Sequence, residues 1–200
     1  SGLTVTKAVI FDADGTALAI ARRRVPQQIP APQHVERDMD GLWAATADAI
    51  REAVAACGRP ASDIVAIAAT AHGDGIYLLD EEKNPLGPAI VSLDTRADAI
   101  AEAWNAGEVG QQSLELTGQK PHASAPSAIL RWVREHQPER YARIAHFIAA
   151  KDWLRFRLCG TIGTDRTEAS TSFTDVRTQD YAEDAFRLFG LDRLAGRQPP

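Results

Sequence analysis

The opening of the chain constrains its fold more than any other stretch. Residues 4–11 are β-branched and apolar, which favours a β-strand. The dipeptide Asp14-Gly15 follows and is typical of a two-residue hairpin turn. Residues 17–25 are suited to return as the partner strand. The sequence therefore predicts that the chain begins with a β-hairpin.

The same letters allow a second interpretation with different chemistry. Residues 9–16, VIFDADGT, are similar to the motif of the haloacid dehalogenase phosphatases, with Asp12 as nucleophile, Asp14 as acid and a required Mg²⁺. That chemistry also needs a later lysine and a terminal Gly-Asp acidic pair. Gly73-Asp74 with Asp80 matches the pair poorly, because the spacing is too long and a predicted strand separates them. The hairpin interpretation instead places the chemistry in Gly2, Thr4 and Thr6.

Beyond the hairpin, apolar residues change between helical and extended spacing. A helix is predicted from Asp38 or Asp40, the candidate caps, to a stop at Gly58. The apolar run at residues 64–70 predicts a strand directly after this helix. Further strands are predicted at residues 76–79, 89–93 and 146–149, and further helices after Asp94 and at residues 109–116, 126–135, 152–159 and 181–189. Such alternation is typical of an α/β domain.

The composition of the chain argues against several classes of protein. The 200 residues carry a net charge of −5, which argues against a nucleic-acid surface because such a surface needs a basic stripe. No apolar run reaches the ~18 residues of a membrane span, and no signal peptide is visible, so the cytoplasm is the expected location. Cys57 and Cys159 are expected to be buried free thiols. No histidine pair has the spacing of a zinc site.

Three loops carry polar residues that suit ligand binding. In residues 1–7, glycine permits close approach to a phosphate and threonine hydroxyls can donate to it, although Gly/Thr turns are common. In residues 71–75, AHGDG, an imidazole and a carboxylate between glycines suit a grip on sugar hydroxyls, and an ordinary turn with a capping aspartate is the alternative. In residues 92–96, Asp94 and Arg96 form either a ligand contact or a structural pair. Asp165 either closes the same pocket or makes an Asx-turn.

These loops lie within a series of motifs that resembles the amino-terminal domain of the FGGY carbohydrate kinases, in the actin/hexokinase/heat-shock-70 superfamily. Residues 2–15 resemble the first phosphate loop, hairpin and turn of that family without its first strand, and residues 71–75 fall where the family has its sugar-gripping loop. The other similar stretches are residues 35–43, residues 89–97 with Ser92 in place of the usual tryptophan, and residues 129–132, 151–160 and 164–170. Residues 72–80 and 135–144 look closest to the L-xylulokinase branch.

The resemblance implies an α/β fold of the ribonuclease H-like type, with a mixed sheet flanked by helices. It implies ATP- and Mg²⁺-dependent phosphorylation of a xylulose-like ketopentose or a related sugar or polyol. Two sets of residues map onto the functional positions of the family. The phosphate and ATP set is Gly2, Thr4, Thr6 and Lys7, and the sugar set is His72, Gly73, Asp74 and Asp94.

The resemblance also implies that residues 1–200 are an amino-terminal, sugar-binding domain truncated at both ends. The magnesium-linked aspartate of the family would precede Ser1, and the catalytic base, an aspartate in a Gly-Asp motif, would follow Pro200. No catalytic or metal-binding residue is therefore expected within this chain, which should be inactive without the carboxy-terminal ATP-binding domain. A homodimer is compatible with the family. Two alternatives stay open, the phosphatase and a non-catalytic sugar-binding module of the same fold.

Overall fold

The opening hairpin is present in the computed structural model, which describes residues 1–200. Strands β1 (Val5–Phe11) and β2 (Ala17–Arg24) pair antiparallel. Gly15 adopts a left-handed φ of 84° in the connecting turn. The Asp12 carboxylate accepts the amides of Asp14 at 3.0 Å and Thr16 at 2.8 Å. The hairpin prediction is confirmed, and Asp12 serves as a turn residue.

Helix α1 (Met39–Ala56) packs across this hairpin. Its amino terminus is capped by the Asp38 carboxylate, which accepts the Asp40 amide at 3.1 Å, and Gly58 follows its end with a φ of 70°. The buried apolar residues of this contact are alanines, which let the helix approach the strands closely: Ala49 and Ala53 on the helix, and Ala19 and Ala21 on β2. The predicted cap and stop are confirmed.

The remaining strands are short and form two further pairs. Strands β3 (Glu36–Arg37) and β5 (Ala89–Ile90) are antiparallel, as are β4 (Tyr77–Leu79) and β6 (His146–Ile148). A bridge between Ile76 and Ile90 joins the two pairs. Within residues 1–200 the hydrogen-bonded ladders are therefore three antiparallel pairs.

Helices cover these strands and enclose two main clusters of buried side chains. The larger cluster lies under α4 and α8 and includes Phe173 stacked on Phe186, with ring centroids 4.3 Å apart. In the second, the Trp153 indole donates to the Met39 carbonyl at 2.9 Å, which fixes α6 against the start of α1. The helices after α1 are α2 (Asp98–Ala106), α3 (Glu108–Thr117), α4 (Pro126–His136), α5 (Pro138–Ala142), α6 (Ala150–Cys159), α7 (Arg166–Ala169) and α8 (Glu183–Leu188).

Two expectations from the sequence are wrong. Residues 64–70 form no strand, and Val65 is 97% exposed, because a single extended segment without a hydrogen-bonded neighbour is not a stable strand. Cys57 and Cys159 are free, as expected, but Cys57 is only partly buried and Cys159 is exposed. None of the helices is both long enough and apolar enough to cross a membrane.

Candidate functional site

The phosphate loop (residues 1–7) and the sugar loop (residues 71–75) lie side by side. The Ser1 amino group donates to the Thr70 carbonyl, and the His72 amide donates to the Ser1 carbonyl at 3.0 Å. Ser1 therefore bonds the two residues on either side of Ala71, which is the hydrogen-bond pattern of two parallel strands. The structure thus places the first two loops that the sequence selected side by side.

Arg37, at the end of β3, lies between these two loops and is 0% exposed. Its guanidinium donates to the carbonyl oxygens of Gly2, at 3.4 Å, and Leu3. The same group lies 3.4 Å from Nε2 of His72. Its Nε has no hydrogen-bond partner. Sequence reasoning missed Arg37, because a basic residue between Glu36 and Asp38 gives no sign of burial.

The sugar loop has an unusual backbone. Asp74 has a φ of 56°, a left-handed conformation that is uncommon for a residue other than glycine. Gly75 has a φ of 75°, and a Cβ there would lie 2.4 Å from the Ile90 carbonyl oxygen. The Gly75 amide donates to the Ser124 carbonyl at 2.9 Å. Strain of this kind concentrates at functional sites, which supports the choice of this loop.

The Asp74 carboxylate is one-third exposed and faces His122, with Oδ1 3.8 Å from Nε2. His122 Nδ1 lies 3.3 Å from the Ser124 hydroxyl. Asp74, His122 and Ser124 therefore place a carboxylate, an imidazole and a hydroxyl next to one another. His122 and Ser124 were missed, since no motif marks them and only the fold brings residues 122–124 to the sugar loop.

His72 is half-buried beside Arg37. Its Nδ1 lies 3.2 Å from the Gly73 carbonyl oxygen and 3.4 Å from the Ser92 hydroxyl. Burial lowers the pKa of His72 below its ordinary value, and the positive charge of Arg37 lowers it further. The hydrogen bond to the Gly73 carbonyl acts in the opposite direction, but the net effect on the pKa favours the neutral ring.

Asp94 is buried and its carboxylate is occupied by protein groups. Both oxygens bind the Arg96 guanidinium at 2.8–3.0 Å, and they also accept the amides of Val35 at 2.6 Å and Arg96 at 2.9 Å. Arg96 bonds Glu36 as well, at 2.8 Å. The geometry favours the structural alternative for Asp94, because both of its oxygens are already bonded by protein groups of this clamp (Glu36, Asp94 and Arg96) and by the Val35 amide.

The structure divides the predicted phosphate residues into two groups. Gly2, Thr4 and Lys7 are exposed, so their groups are available to a ligand. Thr6 is 1% exposed, and its hydroxyl lies 3.1 Å from the Thr46 hydroxyl on α1. Thr6 therefore faces the helix and away from the loop. The alternation along β1 could have shown this, because Thr6, Ala8 and Ile10 share one face of the strand.

A cluster of ionisable groups lies beyond the sugar loop. Lys151 contacts Asp165 at 2.5 Å and Glu168 at 3.4 Å. Burial raises the pKa of Asp152 to about 6. Burial also raises the pKa of Glu168, with a small contribution from the charge of Asp74. Asp165 caps α7 by accepting the amides of Thr167 and Glu168, as the Asx-turn alternative predicted.

Comparison with known proteins adds independent observations. Residues 1–195 match the model of the N-terminal domain of the FGGY family of carbohydrate kinases. The chain is 36% identical over 200 residues to a probable L-xylulose kinase of Haemophilus influenzae, covering 100% of this chain and 41% of that protein. It is also 36% identical over 166 residues to the L-xylulose/3-keto-L-gulonate kinase of Escherichia coli, covering 83% of this chain and 33% of that protein.

The fold matches a solved structure equally well. The xylulose kinase of Rhodospirillum rubrum superposes with a TM-score of 0.90 at 25% identity, over 100% of this chain and 41% of that one. This likeness confirms the α/β fold of the actin/hexokinase type. The chain thus spans about two fifths of the length of the relatives that it matches.

Proposed function

Since the chain belongs to the FGGY family of carbohydrate kinases, we propose that it is the sugar-binding half of an ATP-dependent kinase. The acceptor is a xylulose-like ketopentose or a related sugar or polyol. The observation that carries this proposal is the joining of the phosphate loop and the sugar loop through Ser1, His72 and Arg37. That arrangement sets an acceptor hydroxyl beside a phosphoryl donor.

Residues 1–200 are the amino-terminal domain of a longer protein in this proposal. A strand before Ser1 would continue the parallel pairing that Ser1 begins and would pair with residues 64–70. Three of the residues that it would cover are apolar and exposed now: Ile64 at 41%, Val65 at 97% and Ile67 at 59%. The ATP-binding domain and the catalytic base would follow Pro200.

The sugar site is built on His72, Gly73 and Asp74. The Asp74 carboxylate accepts hydrogen bonds from sugar hydroxyls, and the exposed faces of His122 and Ser124 complete the pocket. Asp94 belongs to the site indirectly, because its clamp with Arg96 fixes the segment that carries Ser92. Ser92 in turn lies against the His72 ring.

The phosphate site is built on Gly2, Thr4 and Lys7. The residues present fit a phosphate, since a glycine allows close approach and an exposed hydroxyl and ammonium can donate to its oxygens. As the family resemblance implies, Mg²⁺ would be held by the phosphates and by carboxylates outside residues 1–200. When bound, ATP supplies the phosphoryl group that is transferred. Thr6 stabilises the loop from its buried side, through the contact of its hydroxyl with the Thr46 hydroxyl.

The residues of this chain act by positioning. Phosphoryl transfer depends on holding the attacking hydroxyl in line with the phosphorus and on stabilising the charge that develops. Asp74 orients the sugar, while Thr4 and Lys7 stabilise negative charge on the phosphate oxygens. Closure of the second domain over the cleft would exclude water and so suppress hydrolysis of ATP.

Incubation of the full-length protein with ATP, Mg²⁺ and a panel of ketopentoses and polyols tests this function. ADP formation that depends on one sugar is the expected result. Sugar binding by calorimetry without ADP formation would instead establish the non-catalytic module. The phosphatase alternative lacks support, because Asp12 is engaged in a turn and the chain belongs to another family.

The kinase is proposed to act in the cytoplasm, where ATP is available and where free cysteines such as Cys57 and Cys159 stay reduced. A homodimer is proposed for the full-length protein. Light scattering coupled to size-exclusion chromatography would measure its mass, and a monomeric mass at micromolar concentration would contradict this assembly.

A further inference from the structure

We propose that Arg37 is a positioning residue that holds His72 in a single neutral tautomer and thereby fixes the sugar loop against the phosphate loop. The kinetic part of this inference rests on the proposed kinase function, whereas the part that concerns the His72 ring does not.

A guanidinium has only donors, so an imidazole nitrogen that bonds it must be an acceptor. Nε2 of His72, 3.4 Å from Nη1 of Arg37, therefore carries no proton. The proton of the neutral ring lies on Nδ1, which donates to the Gly73 carbonyl at 3.2 Å. Both ring nitrogens are then engaged, and His72 acts as a fixed part of the loop rather than as an acid or base.

The same guanidinium holds the other loop. It donates to the backbone carbonyls of Gly2 and Leu3, and these two bonds fix the path of the chain before Thr4. One rigid planar group thus sets the distance between the glycine of the phosphate loop and the imidazole of the sugar loop. A lysine cannot reproduce this, because its single ammonium lacks the fork of donors.

The charge of Arg37 is not neutralised by a carboxylate, although the residue is 0% exposed. Its partners are two carbonyls and a neutral imidazole. Two polar atoms nearby lack partners as well, Nε of Arg37 and the Tyr77 hydroxyl. A buried cation without a counterion is unfavourable for folding, which points to a role in the site rather than in stability.

Three other groups face the His72 ring and need consideration. The Ser1 amino group adds positive charge, Tyr77 lies with its ring centroid 6.4 Å away, and the Ser92 hydroxyl is 3.4 Å from Nδ1. None of them supplies a negative charge that would favour the imidazolium. Removal of Arg37 therefore frees Nε2 and lets the pKa of His72 rise toward its ordinary value.

Labelling of histidines with diethyl pyrocarbonate tests the inference on the full-length protein, because the reagent attacks neutral imidazole nitrogens. Trypsin releases His72 and His122 in separate peptides, each with one histidine. The bonds Arg59–Pro60 and Lys120–Pro121 resist cleavage, so each of these peptides stays whole. Mass spectrometry then follows the two labelling rates against pH. His122, with 47% of its side chain exposed, is the internal control.

In Arg37→Met, the labelling rate of His72 at alkaline pH should increase several-fold, and the midpoint of its pH dependence should move upward. His122 should stay unchanged. The matched control is Arg140→Met, because Arg140 is another largely buried arginine that donates to the Pro88 carbonyl, away from both loops. Wild-type labelling of His72 in Arg37→Met would overturn the inference.

Two further measurements keep the inference testable. If Arg37→Met does not fold, Arg37→Lys should still accelerate His72 labelling, and a wild-type rate there would be equally decisive against the inference. In the active kinase, Arg37→Met should raise KM for sugar and for ATP together, because it loosens both loops. If the protein phosphorylates no sugar, the proposed function fails, while the labelling result still decides the role of Arg37.

Discussion

Two buried arginines, Arg96 and Arg37, differ in whether a carboxylate neutralises their charge. Arg96 has its side chain fully buried, binds Asp94 with a bidentate geometry and also bonds Glu36. Arg37 is equally buried but bonds two carbonyls and an imidazole. Each guanidinium has one nitrogen without a hydrogen-bond partner, Nη1 of Arg96 and Nε of Arg37, so the two differ in the neutralisation of their charge. The neutralised guanidinium of Arg96 holds the fold together, whereas the unneutralised one of Arg37 lies between the two candidate loops.

The two regions lie next to each other in sequence and space. Glu36 belongs to the Arg96 clamp and Arg37 to the loop junction, and these are the two residues of β3. Since alternate residues of a strand point to opposite sides, one short strand connects a rigid support to the candidate site. The comparison therefore predicts that mutations in the clamp reduce stability, while mutations at the junction change ligand binding.

The largest expected effect comes from replacing each arginine with methionine. Arg96→Met leaves the buried Asp94 carboxylate and the Glu36 carboxylate without a cation to neutralise them, and breaking a buried pair costs about 3–5 kcal/mol. Arg37→Met leaves only neutral acceptors unpaired and should cost about 1–2 kcal/mol. Urea unfolding of both variants measures the difference, and equal losses would show that the comparison is wrong.

The same comparison extends to buried carboxylates. Asp94 is neutralised by Arg96, whereas Asp152 is held mainly by the Ala149 amide at 3.0 Å, and burial raises its pKa to about 6. The folded state then binds the Asp152 proton more tightly than the unfolded state does. Asp152 therefore destabilises the fold above pH 6, and this penalty disappears as the pH falls toward 4.

Asp152→Asn should consequently be more stable than the wild type at pH 7, by about 2–3 kcal/mol, with the difference vanishing near pH 4. Asp165→Asn is the control with the opposite sign. The hydrogen bond from Lys151 lowers the pKa of Asp165, so its stabilisation is lost as the pH falls. Unfolding free energies at several pH values test both, and a pH-independent difference for Asp152→Asn would contradict the assignment.

A smaller effect is expected at Gly75, where the sugar loop packs against β5. Gly75→Ala places a Cβ 2.4 Å from the Ile90 carbonyl oxygen at a positive φ, and we expect a loss of about 2 kcal/mol or more. Gly15→Ala is the matched control, because its φ of 84° is equally left-handed but no atom lies within 4 Å. The control should lose only about 1 kcal/mol, from backbone strain alone. Similar melting temperatures for the two variants would mean that the loop can move away from β5.

Local signals were sufficient for the elements that local interactions build. The turn at Asp14-Gly15, the cap at Asp38 and the stop at Gly58 were predicted because each depends on a few neighbouring residues. The strand at residues 64–70 was not formed, because a strand also requires a neighbour in space. The sequence marks the apolar run but does not provide that neighbour.

The candidate site divides in the same way. The sugar loop was found because glycines around an aspartate are visible in the sequence. Arg37, His122 and Ser124 were missed, since their proximity to that loop results from the fold. Asp94 was selected by a motif that does not distinguish a ligand contact from an ion pair, and only its hydrogen bonds to Arg96 and Val35 make the distinction.

The smallest effect on stability tests the loop itself. Asp74 is strained at a φ of 56°, and glycine adopts this conformation without penalty, so Asp74→Gly should stabilise the fold by about 1 kcal/mol. The same change removes the carboxylate proposed to bind sugar hydroxyls, so KM for sugar should rise about tenfold or more while KM for ATP stays near its wild-type value. Asp74→Asn is the matched variant, because it keeps the strain and the shape but loses the charge. A stabilised Asp74→Gly enzyme with unchanged KM for sugar would mean that the strain at Asp74 has no role in sugar binding. Stabilisation together with weaker sugar binding would show that this residue trades stability for function.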